Sequence, residues 1–402
     1  MPTTNPHNNA SAAAETVGGN DDIVTEILIR VPVKPLLRFK CVSKRWLSLI
    51  SDSHFSRRHH HHHHRHRTSL SGIFLRRSTP SHFQFVSLDG THSSPPFTSL
   101  DFIAHKIKDP SLSGVKILQS CNGLLLCRSL NKSLTDQTHH YYVCNPTTKR
   151  FSTLPRLSIE GPIIIFGLSL AFDPSNSPNY QVVCVRSSAV SLYSYQIEIY
   201  SSETRAWRPC GPPFVAPFDM VFDSAVFWNE AVHWLSPSGS ALCFDVDKEV
   251  VRTMPSLPGS DAWGKRRFRY FGESGGHLHL IEVCGCRTTQ FKVFEMASDC
   301  SRWFVKYEVD LGSIVVAFPE IVREFLDPRD SCYYAFVIVF VVTNEEEAEL
   351  LLHLPGKIIS YNLRDKSFKK LCELTPYHNE TRSSLQFGWL DAYQYIETLA
   401  FV

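Results

Sequence analysis

Five stretches of the chain repeat one order of residues, and that repetition restricts the fold more than any single motif. Each has an apolar strand, a polar turn, a cation or other polar residue, and then an aromatic or aliphatic residue opening the next strand. They run from Tyr141 to Pro155, Ile197 to Cys210, Ala241 to Pro255, Phe291 to Lys306 and Ile358 to Leu371, with Phe151, Trp207, Val250, Trp303 and Phe368 at the opening position. Successive openers lie about 43 to 65 residues apart, near the roughly 40 to 50 residues of a four-stranded propeller blade with loop insertions. Radial repetition protects strand edges that an open sheet would expose, so the pattern predicts a β-propeller-like domain of about six or seven blades. A pair of β-sandwiches or a distorted barrel would give similar strands.

The rest of the chain beyond residue 69 agrees with an all-β domain, since short runs of Val, Ile, Phe and Tyr alternate with Gly, Pro, Asn and Asp turns. Asn122-Gly123 between two apolar runs is a strong hairpin signal. The run Tyr333 to Val342 is about half of the roughly 20 residues a membrane helix needs, and its β-branched content reads as a buried strand. Trp389 to Phe401 is expected to complete the first blade or close the ring.

Before this domain the pattern is helical. Ile23, Val24, Ile27, Leu28 and Val31 recur on one face, Asp21, Asp22 and Glu26 sit where a helix start favours negative charge, and Pro32 ends the helix. Pro35 fits the first turn of a second helix carrying Leu36, Leu37, Cys41 and Val42 toward Trp46, with Arg38, Lys40, Lys44 and Arg45 between them. Two or three helices in so short a segment cannot bury such a face alone. Residues 1–19 read as a disordered tail, and the His/Arg run within 57–68 as a solvated linker in which metal capture is a minor alternative.

A formal net charge of +2 with 43% hydrophobic residues demands neither nucleic acid nor an anionic membrane as main partner. The N-terminal residues show no apolar run of the secretory kind, so the twelve cysteines are expected as reduced, buried thiols.

Residues 21 to 56, from "DDIVTEILIR" through "VPVKPLLRFKCVSKRWLSLI" to "SDSHFS", resemble the F-box motif as it appears in plant F-box proteins. The motifs "SCNGLLLC", "YYVCNPTTKRF", "LAFDPSNSPNYQVVCV" and "IEIYSSETRAW" resemble the F-box-associated, kelch-like domain that follows it in that family. The resemblance divides the chain into a tail (1–19), an all-α F-box (20–56), a linker (57–68) and a propeller-like recognition domain (69–402). It implies a non-catalytic substrate receptor of a Skp-cullin-F-box (SCF) ubiquitin ligase, in the cytoplasm or nucleus and without a cofactor. The partners would be a Skp-family adaptor, through it a cullin, and an unknown protein substrate, with no nucleic acid and no membrane.

By the same resemblance Ile23, Ile27, Leu28, Pro32, Val33, Leu36, Leu37, Val42 and Trp46 lie at or just behind the adaptor surface. Family members begin the motif with Leu-Pro, whereas Gly19-Asn20 stand here; the missing anchor is worth about 2 kcal/mol of burial. Asn20 is expected to cap the helix instead.

Two other readings remain at this point. One is a non-ligase binding module with a degenerate F-box, and the other is a propeller enzyme. The chain contains none of the H-E-x-x-H, G-x-S-x-G, G-x-G-x-x-G or P-loop patterns. His233, His277 and His279 read as strand histidines, and Asp173 and Asp245 as turn residues. The acidic run Asn344 to His353 reads as a solvated loop, and Gly264 to Phe271 as a basic approach to a blade.

Overall fold

A computed structural model describes residues 19–64, 70–76, 83–88, 97, 99–107, 111–132, 139–157, 163–191, 193–257, 266–284, 289–327, 330, 333–343, 348–374, 385 and 387–402. Among the described residues four helices come first: α1 (Asp21–Ile29), α2 (Val33–Phe39), α3 (Lys44–Ile50) and α4 (Ser53–His64). The second helix expected from the sequence is two, because Ser43 is extended (φ −158°) and its Oγ accepts from Trp46 N at 3.1 Å, starting α3 anew.

The His run departs from expectation. As far as His64 it continues α4 instead of forming a linker, while residues 65–69 lie outside the described residues. His59 is buried, its Nε2 lies 2.8 Å from Val31 O, and His63 Nε2 lies 3.0 Å from Ile29 O. These carbonyls are at the end of α1, where no further helical N–H can reach them. A polar helix is thus held by the unsatisfied end of its neighbour, with Arg58 paired to Glu26 beside it. The expected N-terminal tail falls outside the described residues, apart from Gly19.

Six antiparallel sheets follow. Blade 1 comprises Leu112–Cys121, Leu124–Asn131, Tyr141–Asn145 and Arg150–Thr153; blade 2, Ile165–Ala171, Gln181–Ser187, Tyr195–Ser201 and Ala206–Phe214. Blade 3 comprises Val226–Trp228, Ala231–Leu235, Ala241–Asp245 and Val250–Thr253; blade 4, Arg266–Ser274, His277–Cys284, Gln290–Met296 and Trp303–Asp310. Blade 5 comprises Val337–Thr343, Ala348–Leu354, Lys357–Asn362 and Phe368–Glu373. In the sixth, Leu70–Arg76 pairs on one side with Phe83–Ser87 and on the other with Ala392–Ile396, so strands from the two ends of the domain close the ring.

The five repeated stretches are the outer hairpins of blades 1 to 5. Each turn places one residue in the left-handed region, Lys149, Arg205, Glu249, Cys300 and Lys366, all with φ between 55° and 61°. The openers then link neighbouring blades: Trp207 Nε1 donates to Pro155 O (2.7 Å) and Trp303 Nε1 to Pro255 O (3.1 Å). Asn122 and Gly123 turn blade 1 with positive φ, as expected. The blade interfaces are apolar, and Trp234, Tyr142, Tyr361 and Tyr395 are among the largest side chains buried in them.

Candidate functional site

The helical unit has an interior and an exposed face. Val24, Leu28, Ile29, Val33, Leu36, Ile50 and Phe55 form its core together with Leu399. Leu399 comes from beyond the strand that closes the ring and is 4% exposed. Its segment is fixed to blade 1 by Asn145, whose Nδ2 donates to Thr398 O (3.1 Å) and Ala400 O (2.8 Å). Lys34 Nζ pairs with Glu397 Oε1 at 2.7 Å and lies 6.0 Å from the Tyr395 ring centroid. Lys40 is half-buried, and its pKa is lowered by burial and then by Arg150 of blade 1. The helices therefore sit on the end of the propeller where the inner strands finish.

Of the residues assigned to the adaptor surface by resemblance, Leu28, Val33 and Leu36 lie inside this core, Leu36 completely. Ile23, Ile27 and Val42 are 40%, 52% and 61% exposed, and Pro32 is exposed as well. Leu37 and Trp46 are half-buried, and Trp46 meets Phe39 edge-on with centroids 5.5 Å apart. Ile23 and Ile27, four residues apart, share one face of α1. Leu47, absent from the expected set although it stands at helical spacing in the same stretch, is 46% exposed.

The start of α1 is well determined. Asn20 Oδ1 accepts from Asp22 N (2.9 Å) and Ile23 N (3.3 Å), the cap expected from the sequence. Arg45 ties α3 to this end through Asp21 Oδ1 (2.6 Å) and Gly19 O (2.6 Å). A Cβ added at Gly19 would meet nothing within 4 Å, so the site of the missing Leu is open.

The second site is the propeller axis, a cavity of ≈ 230 Å³ lined by the inner strands, with Arg76, Lys116, Gln119, Glu273 and Gln394 among its polar residues. Gln394 Nε2 donates to Glu273 O (2.8 Å), and Gly276 N donates to Glu273 Oε1 (2.9 Å). Burial raises the Glu273 pKa.

The remaining polar candidates lie in strands and turns. His233 is 1% exposed in the interior of blade 3, and burial lowers its pKa to about 4. His277 and His279 flank Glu295, at 3.1 and 3.6 Å, on one side of blade 4. Asp173 accepts from Ser175 N, and Asp245 from Lys248 N, both within turns. No group of three or more His, Cys, Asp or Glu that could hold a metal occurs among the described residues. Glu345 to Glu347, and the side chains from Gly264 to Arg269, lie outside the described residues.

Comparison with known proteins agrees with this division. Residues 20–58 match the F-box domain, and residues 97–314 match the KIB1-4 beta-propeller. The F-box protein At5g07610 of Arabidopsis thaliana is 38% identical over 411 residues, covering 97% of this chain and 94% of its own. The F-box protein At5g49610 of the same plant is 28% identical over 325 residues, covering 75% and 81%. The F-box/kelch-repeat protein At3g23880 of that plant is 25% identical over 293 residues, covering 68% and 74%. A helical unit with an exposed apolar face, seated on a six-bladed ring, thus has both of its parts matched in order along the sequence, and the chain belongs to the plant F-box proteins that carry a KIB1-4 β-propeller.

Proposed function

We propose that this protein is the non-catalytic, substrate-recruiting subunit of an SCF-type ubiquitin ligase, working in the cytoplasm or nucleus. The F-box would dock on a Skp-family adaptor and through it on a cullin, while the propeller holds the target. The observation that carries this reading is the exposure of Ile23, Ile27, Val42 and Leu47 on a helical unit whose interior is already filled. Apolar anchors beside Arg38 and Lys44, which are also exposed, have the composition of an interface core with a charged rim. The mechanism is proximity: holding a target beside the ligase raises its effective concentration, and no bond is made by this chain.

The test is binding of the purified chain to a Skp-family adaptor. Leu36, being fully buried, would report on folding. Ile27→Asp and Val42→Asp report on the face, and each should weaken binding at least about tenfold, with thermal unfolding unchanged. Phe368→Asp, an exposed apolar site on blade 5, should bind as the wild type. No binding by the folded wild type, or equal binding by all four proteins, would overturn the proposal.

A further inference from the structure

The two ends of the axial cavity differ in charge. Toward the F-box lie Gln394 and Glu273, which accepts from Gln394 Nε2 at its carbonyl and from Gly276 N at Oε1. At the opposite mouth, where the inner strands begin, Arg76 Nε donates to Asp391 Oδ1 at 2.9 Å. Lys116 lines the cavity there, and Arg128 stands directly across from it in the strand pair. Lys116 is half-buried, and its side chain has no hydrogen bond or ion pair among the described residues. Its pKa is lowered by burial, then by Arg76 and Arg128, whose repulsion outranks the attraction of Asp223 and Asp391. Arg128 Nε is buried without a hydrogen-bond partner among the described residues. Three cations and two carboxylates therefore meet at this mouth, leaving one positive charge uncompensated among the described residues.

The same end of the ring carries much of the propeller's exposed apolar surface. Ile164, Phe166, Phe218 and Leu390 are 63%, 41%, 97% and 48% exposed. Phe166 is seated edge-on against Tyr195 (5.0 Å), and Tyr195 against the buried Phe222 (5.0 Å), so its ring is backed by the interface of blades 2 and 3.

We propose that this mouth binds the carboxylate of an Asp or Glu side chain on an extended segment of the target, between Lys116 and Arg128, with apolar neighbours of that residue resting on Phe166 and Leu390. The proposal deepens the reading of the propeller as target-holding and rests on it. A cavity of ≈ 230 Å³ is below the roughly 300 Å³ where small-molecule pockets begin, and fits one acidic side chain. One unbalanced positive charge matches a carboxylate, whereas a phosphate monoester brings about −1.5 to −2. A charge-assisted contact in a half-buried site gains more than it would in open water.

The probe is a set of short fluorescent peptide pools, degenerate in apolar residues around one fixed central residue: Glu, phosphoserine, Lys or Ala. Each is titrated against the purified full chain, and adaptor binding is measured separately. The Glu pool should bind about tenfold more tightly than the Lys and Ala pools, and more tightly than the phosphoserine pool. Lys116→Met and Arg128→Met should each remove the Glu preference, Lys116→Arg should keep it, and all should keep wild-type adaptor affinity and unfolding temperature. Equal binding of the Glu and Ala pools, a Glu preference that survives Lys116→Met, or tighter binding of phosphoserine would overturn it. Loss of adaptor binding in the wild type would count against the ligase reading alone.

Discussion

Leu399→Ala separates the contribution of the propeller to the F-box from that of the F-box to itself. Leu399 is 4% exposed and fills the core formed by Val24, Leu28, Ile29, Val33, Leu36, Ile50 and Phe55. Truncating a buried Leu to Ala costs about 3 kcal/mol, with the outcome set by how far the site collapses. So small a helical unit, residues 19–64, has little stability in reserve. The substitution should raise local opening of the helices by about two powers of ten. The assay is amide hydrogen exchange: Leu28 and Ile29 of α1 and Ile50 of α3 should lose about 100-fold protection, and amides in blades 3 and 4 should not change. Adaptor affinity should fall although the exposed face is untouched, because part of the population is open before binding. Unchanged exchange in α1 would refute the shared core. Equal loss in every blade would show that Leu399 supports the propeller instead.

Asn145→Ala should act on the same coupling from the other side, costing about 2 kcal/mol because it removes donors to Thr398 O and Ala400 O and the acceptor for Thr147 N; chemical denaturation measures it. Gly19→Leu restores the family's apolar residue into open space and should tighten adaptor binding about tenfold, read by calorimetric titration. Acid should destabilise the ring through His233 and His353. Burial holds both near pKa 4, well below the ordinary value, so the unfolded chain takes up these protons first. Their contribution is complete above pH 6.5 and is lost as pH falls from there toward 4, about 3 kcal/mol for each; His353→Gln should flatten this part of a stability curve measured against pH. Glu295, held near pKa 2 against its own burial by His279, His277 and Lys306, adds a further loss below about pH 4.5. Gly167→Ala should fail to give a folded ring, because its Cβ would run into the Phe222 carbonyl; recovery of soluble protein with native circular dichroism would contradict the close approach of blades 2 and 3.

The sequence exposed what is local. Outer hairpins of blades 1 to 5 were legible because each polar turn is followed within a few positions by an aromatic or aliphatic residue that opens the next strand, as Trp207 and Trp303 do. Blade 6 had no such signal, since its strands pair Leu70–Arg76 with Ala392–Ile396 across nearly the whole domain. The expected adaptor residues came from the family resemblance, which carries over apolar positions but not which neighbour covers them. Leu36 and Ile27 look alike in the sequence, yet one is sealed and the other open. The His run misled because composition reports solvation, whereas His59 and His63 are placed by carbonyls of another helix. Nor could the charged mouth be read, because Arg76, Lys116 and Asp391 become neighbours only when the ring closes.

That closure also sets an order of events during synthesis. The inner strand of blade 6, Ala392–Ile396, follows the other described strands of the ring, and Leu399, which fills the F-box core, follows it in turn. Ribosomes therefore release the docking helices first, but those helices lack a residue of their own core until the ring has been completed. A chain lacking that last segment would present helices with an incomplete core, so tight packing of the F-box waits on completion of the ring.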